Sequence, residues 1–149
     1  MKKFTFILIT GIILFAMTPS ANATVGVRLG TYTDAEELFI GGEVVTPVSM
    51  HFYFNPNIEY IFLENTTFLT FNADFHYDFV ETERTFIWGG AGLGIQYFDY
   101  EGNNSTTEAG LNLLLGIGLK ARGNVIPYLQ GKFILGDYDD FAIGVGIRF

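Results

Sequence analysis

The feature that most limits what this chain can become is a strict two-residue alternation of large apolar side chains with small or polar ones. It is plainest where Leu69, Phe71, Ala73, Phe75, Tyr77 and Phe79 interleave with Thr70, Asn72, Asp74, His76 and Asp78. A helix repeats about every 3.6 residues and cannot gather such a set on one side, whereas a strand turns successive side chains to opposite faces. The stretch is a strand with one oily face and one polar face.

Seven other stretches repeat the pattern. Val27, Leu29 and Thr31 oppose Gly26, Arg28, Gly30 and Tyr32; Leu38, Ile40 and Val44 oppose Phe39, Gly41, Glu43 and Val45. Phe54, Pro56, Ile58, Tyr60 and Phe62 oppose Tyr53, Asn55, Asn57, Glu59 and Ile61. Pro56 cannot donate to a ladder from mid-strand, where an internal strand pairs on both sides; a bulge there would accommodate it. Further on, Ile87, Ala91, Leu93, Ile95 and Tyr97 alternate with Trp88, Gly90, Gly92, Gly94 and Gln96. Leu111, Leu113, Leu115, Ile117 and Leu119 alternate with Asn112, Leu114, Gly116, Gly118 and Lys120. Val125, Pro127, Leu129, Phe133 and Leu135 then oppose Tyr128, Gln130 and Lys132, and the chain closes with Phe141 to Phe149 against Ala142, Gly144, Gly146 and Arg148. The polar segment Asp99 to Glu108 is expected to be an exposed loop, and Arg122-Gly123-Asn124 a tight turn.

Eight strands with turn signals between them make an all-β sandwich or barrel. The polar face decides between water and lipid. It is full of glycine, an odd covering for a solvated sheet but apt for a crowded interior, while the other face is bulky and ends in aromatics. Runs of about 9 to 12 residues suit tilted strands crossing a bilayer, and closure removes edges that lipid does not tolerate. The expected fold is all-β: an eight-stranded antiparallel up-and-down transmembrane barrel over residues 24–149. Tyr60, Phe62, Tyr97, Phe133 and Phe141 would form one aromatic rim, and Phe54, Tyr77, Phe79 and Phe149 the other.

The residues before it read as a signal peptide, 1–23. Lys2 and Lys3 precede an apolar run from Phe4 to Met17, followed by Ala21-Asn22-Ala23. That run is shorter than the roughly 20 residues a spanning helix needs. A net charge of −8 argues against nucleic acid, whose binding relies on cations neutralising phosphates. The absence of cysteine removes disulfides and thiolate metal sites.

The signal peptide, the eight alternating runs, the glycine-rich inner face and the terminal strand ending in Phe149 together resemble the small eight-stranded outer-membrane barrels of Gram-negative bacteria, the OmpA-like and opacity-type proteins. The resemblance implies residence in the outer membrane among lipid and lipopolysaccharide. It also implies that the outer-membrane assembly machinery recognises the strand ending in Phe149. Nothing in the chain resembles the peptidoglycan-binding domain that many OmpA-like proteins add.

On the inner face, Arg28, Lys120, Lys132 and Arg148 would meet Glu43, Glu59, Asp74 and Asp78, with His76 among them, in a charge network expected on structural grounds because a lone buried charge is costly. Eight strands leave an interior just wide enough for side chains to fill. His76 beside Asp74 and Asp78 lacks an inward serine and a fourth ligand, so neither a catalytic site nor a metal site is expected, and no cofactor. The acidic links, Asp34 to Glu37, Asp99 to Glu101 and Asp137 to Asp140, read as solvated tips, with divalent-cation binding the alternative. A structural or surface role leads. A small pore or ligand-binding barrel, a lipid-modifying enzyme and a soluble periplasmic lipid carrier remain open.

Overall fold

The computed structural model describes residues 22–34, 36–100, 104–121, 123–137 and 139–149. The apolar run and both lysines of the signal segment lie outside the described residues, as do Glu101 and Arg122 from the links. Eight strands follow in order: β1 (Thr24–Tyr32), β2 (Glu37–Ser49), β3 (Phe52–Leu63), β4 (Thr66–Glu81), β5 (Thr85–Tyr100), β6 (Asn104–Leu119), β7 (Ile126–Gly136) and β8 (Asp140–Arg148). Each pairs antiparallel with the next, and β8 returns to β1, closing a barrel. Closure runs to the last residue: Val25 N–H donates to Phe149 C=O at 3.1 Å, and Phe149 N–H to Val25 C=O at 2.9 Å.

Following the registers around the barrel from Thr24 through Val45, Asn55, Asp74, Gly92, Asn112, Ile134 and Asp140 returns to β1 at Asp34, ten positions beyond the start. Such a stagger over eight strands tilts them by roughly 40° from the barrel axis.

The two faces separate as the alternation requires. Leu29, Leu38, Leu93, Leu115 and Phe149 are each more than half exposed on the outside, while Arg28, Glu43, Glu59, Asp74, Lys132 and Arg148 are buried inside. That is the reverse of a water-soluble barrel. Aromatic contacts band the outer face at both ends. Tyr60 and Phe62 pack edge-on at 5.1 Å and Phe133 meets Phe141 at 4.5 Å toward one rim; Phe75 packs on Phe54 at 4.8 Å and Phe52 at 5.7 Å toward the other. We call the end holding Val25 and Phe149 the terminal rim and the opposite end the distal rim.

Two expectations are corrected. Pro56 causes no bulge: β2–β3 pairing runs to Glu43↔Asn57 and resumes at Thr46↔Phe54 in the same register, so the ladder only lapses where Pro56 has no N–H to give. The β2–β3 bulge lies at Pro47/Ser49 instead, near the turn. Most of the segment from Asp99 to Glu108 is strand, not loop. β5 reaches Tyr100 and β6 starts at Asn104, paired to the tip, leaving only residues 101–103 between them. The segment is polar on both faces because it projects past the aromatic band, and its serine and threonines suit a strand.

Candidate functional site in the barrel interior

Alternation sends even-numbered residues of β1 and β4 to β8 inward, and odd-numbered residues of β2 and β3, so each charge in the lumen is placed by strand parity. At the centre stands Glu59, 1% exposed. Its carboxylate accepts from the Arg28 guanidinium and from the Tyr32 hydroxyl, from Lys132 Nζ at 2.6 Å and from Thr70 Oγ1 at 3.0 Å. Glu43 is the second node. Arg148 donates to it through Nε at 2.8 Å and through its terminal nitrogen at 3.4 Å, Asn55 donates at 2.7 Å, and Arg28 lies 3.8 Å away. Asp74 is the third, accepting from Asn57 and Asn112 at 2.8 Å each.

Three cations and three carboxylates therefore share this central network, while the buried Asp140 stands apart at the distal rim, accepting from the Asp34 and Phe141 N–H groups at 2.9 and 2.7 Å. Arg28 bridges the first two nodes and also donates to Asn57. Pairing with extra hydrogen bonds is what makes buried charge tolerable, since an unpaired ion there costs several kcal/mol.

Glycine makes the geometry possible. A Cβ on Gly92 would stand 2.2 Å from Asp74 Oδ1, so its absence lets Asp74 lean across β5 to Asn112 on β6. A Cβ on Gly116 would stand 2.2 Å from the Trp88 ring, which lies over that strand. The inward glycines are filled by neighbours and do not open a channel.

Apolar plugs flank the network. Tyr32, Phe39, Ile61, Phe68, Phe98, Ile134 and Ala142 fill the distal half, with Phe68 and Phe98 stacked at 4.1 Å. Phe86, Trp88 and Tyr128 close the terminal half. Arg148 lies over both Trp88 and Tyr128, at 4.9 and 4.4 Å, and so joins the lower plug to the ion network. A lumen cavity among Arg28, Phe39, Glu59, Tyr128, Gln130, Lys132, Ala142 and Gly144 has a volume of about 10 Å³, room for about one water.

Of the residues expected in the network, Arg28, Glu43, Glu59, Asp74, Lys132 and Arg148 come together. His76 is buried apart from the three nodes, stacked on Tyr53 at 5.2 Å with its Nε2 3.9 Å from Asp78. Lys120 is not in the lumen. β6 ends at Leu119, and the lysine instead donates to Glu81 at 2.6 Å in an exposed pair at the terminal rim, where His51 Nε2 lies 3.3 Å from the same carboxylate. Lys120 continues the even-numbered parity of β6, but the strand stops before it. Alternation places Tyr32, Thr70 and Asn112 inward, but their roles at the nodes depend on cross-strand register, which alternation alone does not set.

No protein-family model matches this chain, and no curated protein matches it in sequence. Solved structures do match. The N-terminal barrel domain of Pseudomonas aeruginosa OprF superposes with a TM-score of 0.73 at 14% identity, covering 86% of this chain and 96% of that one. Neisserial surface protein A gives 0.62 at 15% identity over 85% and 92%. The outer membrane enzyme PagL gives 0.56 at 13% identity over 85% and 98%. With its closed antiparallel sheet, inverted faces and packed ionic interior, the chain has the fold of the small eight-stranded outer-membrane β-barrels.

Proposed function

We propose that the protein is a non-enzymatic outer-membrane barrel with a structural or surface-interaction role, closed to solutes. The observation that carries this reading is the filled lumen: Arg28, Lys132 and Arg148 bonded to Glu59 and Glu43, Asp74 held by two asparagines, and aromatic side chains at either end. A conducting filter needs a wet path lined by groups that bind weakly, whereas these groups are spent on one another. The test is conductance of the refolded chain in a planar bilayer; steady channel openings would refute closure.

The non-enzymatic part rests on chemistry. His76, the one inward histidine of the alternation, is packed between the Tyr53 and Trp88 rings and its near carboxylate lies at 3.9 Å. That arrangement holds no activated nucleophile. His51 shares Glu81 with Lys120, which ties the β2–β3 turn to β4 and to the end of β6. One structural neighbour is an enzyme, so lipid A from cells overproducing the protein should be weighed by mass spectrometry. An unchanged mass supports the reading, and a lost or gained acyl chain overturns it.

A further inference from the structure

The β5–β6 strand pair rises past its neighbour at the distal rim, and among the described residues one edge of it has no partner strand. β6 is paired with β5 as far as Tyr100↔Asn104, and β5 is backed by β4 as far as Thr66↔Tyr100. On the other side, pairing with β7 starts only at Gly110↔Gly136. The direction of the backbone groups follows from one bond. Lys120 N–H donates to Arg84 C=O, on the β5 side, at 2.8 Å. The β5–β6 register is unbroken, so even-numbered β6 residues point toward β5 and odd-numbered ones away. The carbonyl of Ala109, close against Gly136, agrees with this. Ser105 and Thr107 therefore turn N–H and C=O outward, where no strand lies among the described residues.

Exposed edges are usually blunted by lysine, proline or a bulge. This one carries none of them. Its outward backbone belongs to small, exposed residues, and two further strands hold it in extended form, so a partner strand would meet a preformed template.

The surroundings select the partner. Asp99 stands opposite Ser105, Glu108 is on the strand itself, and Asp137 and Asp139 lie on the β7–β8 link at its foot. The distal rim carries no Lys or Arg among the described residues. A second copy in the same membrane is a poor fit: both barrels stand upright with strands tilted by roughly 40°, so facing edges would cross at about 80° instead of running side by side. We propose that the β6 edge at Ser105 and Thr107 takes up an extended, cationic polypeptide segment as an added strand. Backbone hydrogen bonds would supply the register and the acidic rim the attraction.

The inference deepens the surface-interaction reading and rests on it for its setting, but its assay uses the folded chain in detergent and is independent of conductance and lipid A chemistry. The probe is a fluorescent peptide, acetyl-Lys-Thr-Lys-Val-Lys-Thr-amide, compared by anisotropy with the same peptide N-methylated at alternate backbone amides. We expect the plain peptide to bind, the methylated one to bind at least tenfold more weakly, and amide exchange at Ser105 and Thr107 to slow in the plain complex. Thr107→Pro, which removes an outward N–H from an edge position, should cost at least tenfold as well, with folding checked by the heat-dependent gel shift. Equal binding of the two peptides would mean charge attraction alone and overturn the proposal. So would absence of binding, equal binding of a glutamate-for-lysine peptide, or concentration-dependent protection of these amides without peptide, which would make a second copy the occupant.

Discussion

Replacing Glu59 by Gln probes the lumen most sharply, because that carboxylate serves Arg28, Lys132, Tyr32 and Thr70 at once. The substitution keeps shape and removes only charge. Arg28 retains Glu43 at 3.8 Å, but Lys132 loses its ion-pair partner at 2.6 Å. Breaking a buried pair from one side costs about 3 to 5 kcal/mol. Lys132→Met should cost less, about 1.5 to 3 kcal/mol, because Glu59 keeps Arg28 and its hydroxyl donors and forfeits one charged hydrogen bond. In the double variant the count of opposite charges is again equal, Arg28 and Arg148 against Glu43 and Asp74. It should lie within about 2 kcal/mol of the parent, far from the sum of the single losses. The assay is reversible denaturant unfolding in lipid vesicles, followed through Trp88, the only tryptophan in the chain and part of the lower plug. A loss under about 1 kcal/mol for Glu59→Gln would mean that water reaches the network, and a double variant worse than Glu59→Gln would mean that the pair is not coupled; either result refutes the reasoning.

Other outcomes follow from the same geometry. Leu115→Arg, on a lipid-facing position, should cost about 2 to 4 kcal/mol by vesicle unfolding, and Thr106→Arg, beyond the aromatic band, close to nothing. Gly116→Ala drives a methyl to 2.2 Å from Trp88 and should destabilise by about 1 to 3 kcal/mol, with a shifted Trp88 emission; an unchanged spectrum and midpoint would contradict the packing. Brominated acyl chains should quench Trp88 weakly, and quench strongly a tryptophan placed at Leu115 in a Trp88→Phe background.

Strand number, face assignment and closure were legible because alternation is a local property that every inward or outward residue reports. Arg28, Glu43, Glu59, Asp74, Lys132 and Arg148 could all be placed inside by parity. What parity does not carry is where a strand ends and which residues sit level across it. Lys120 obeys the alternation and yet falls past the last ladder pair, while Thr106 and Thr107 looked like loop because polarity on both faces mimics a link. Pro56 shows the same limit: the missing N–H was foreseeable, but whether the chain bulges or lets a pair lapse depends on how firmly β2 and β3 are held on both sides of it. The partners of Glu59 come from β1, β4 and β7, and only the stagger around the closed barrel decides that these meet.

The most direct test of which face meets lipid is a single-cysteine scan from Leu111 to Ile117, open to a chain that has no cysteine of its own. Spin labels in bilayers should show high oxygen accessibility at 111, 113, 115 and 117 and low accessibility to both oxygen and a water-soluble nickel complex at 112, 114 and 116. High nickel accessibility at the odd positions, or oxygen maxima at the even ones, would contradict the inverted barrel.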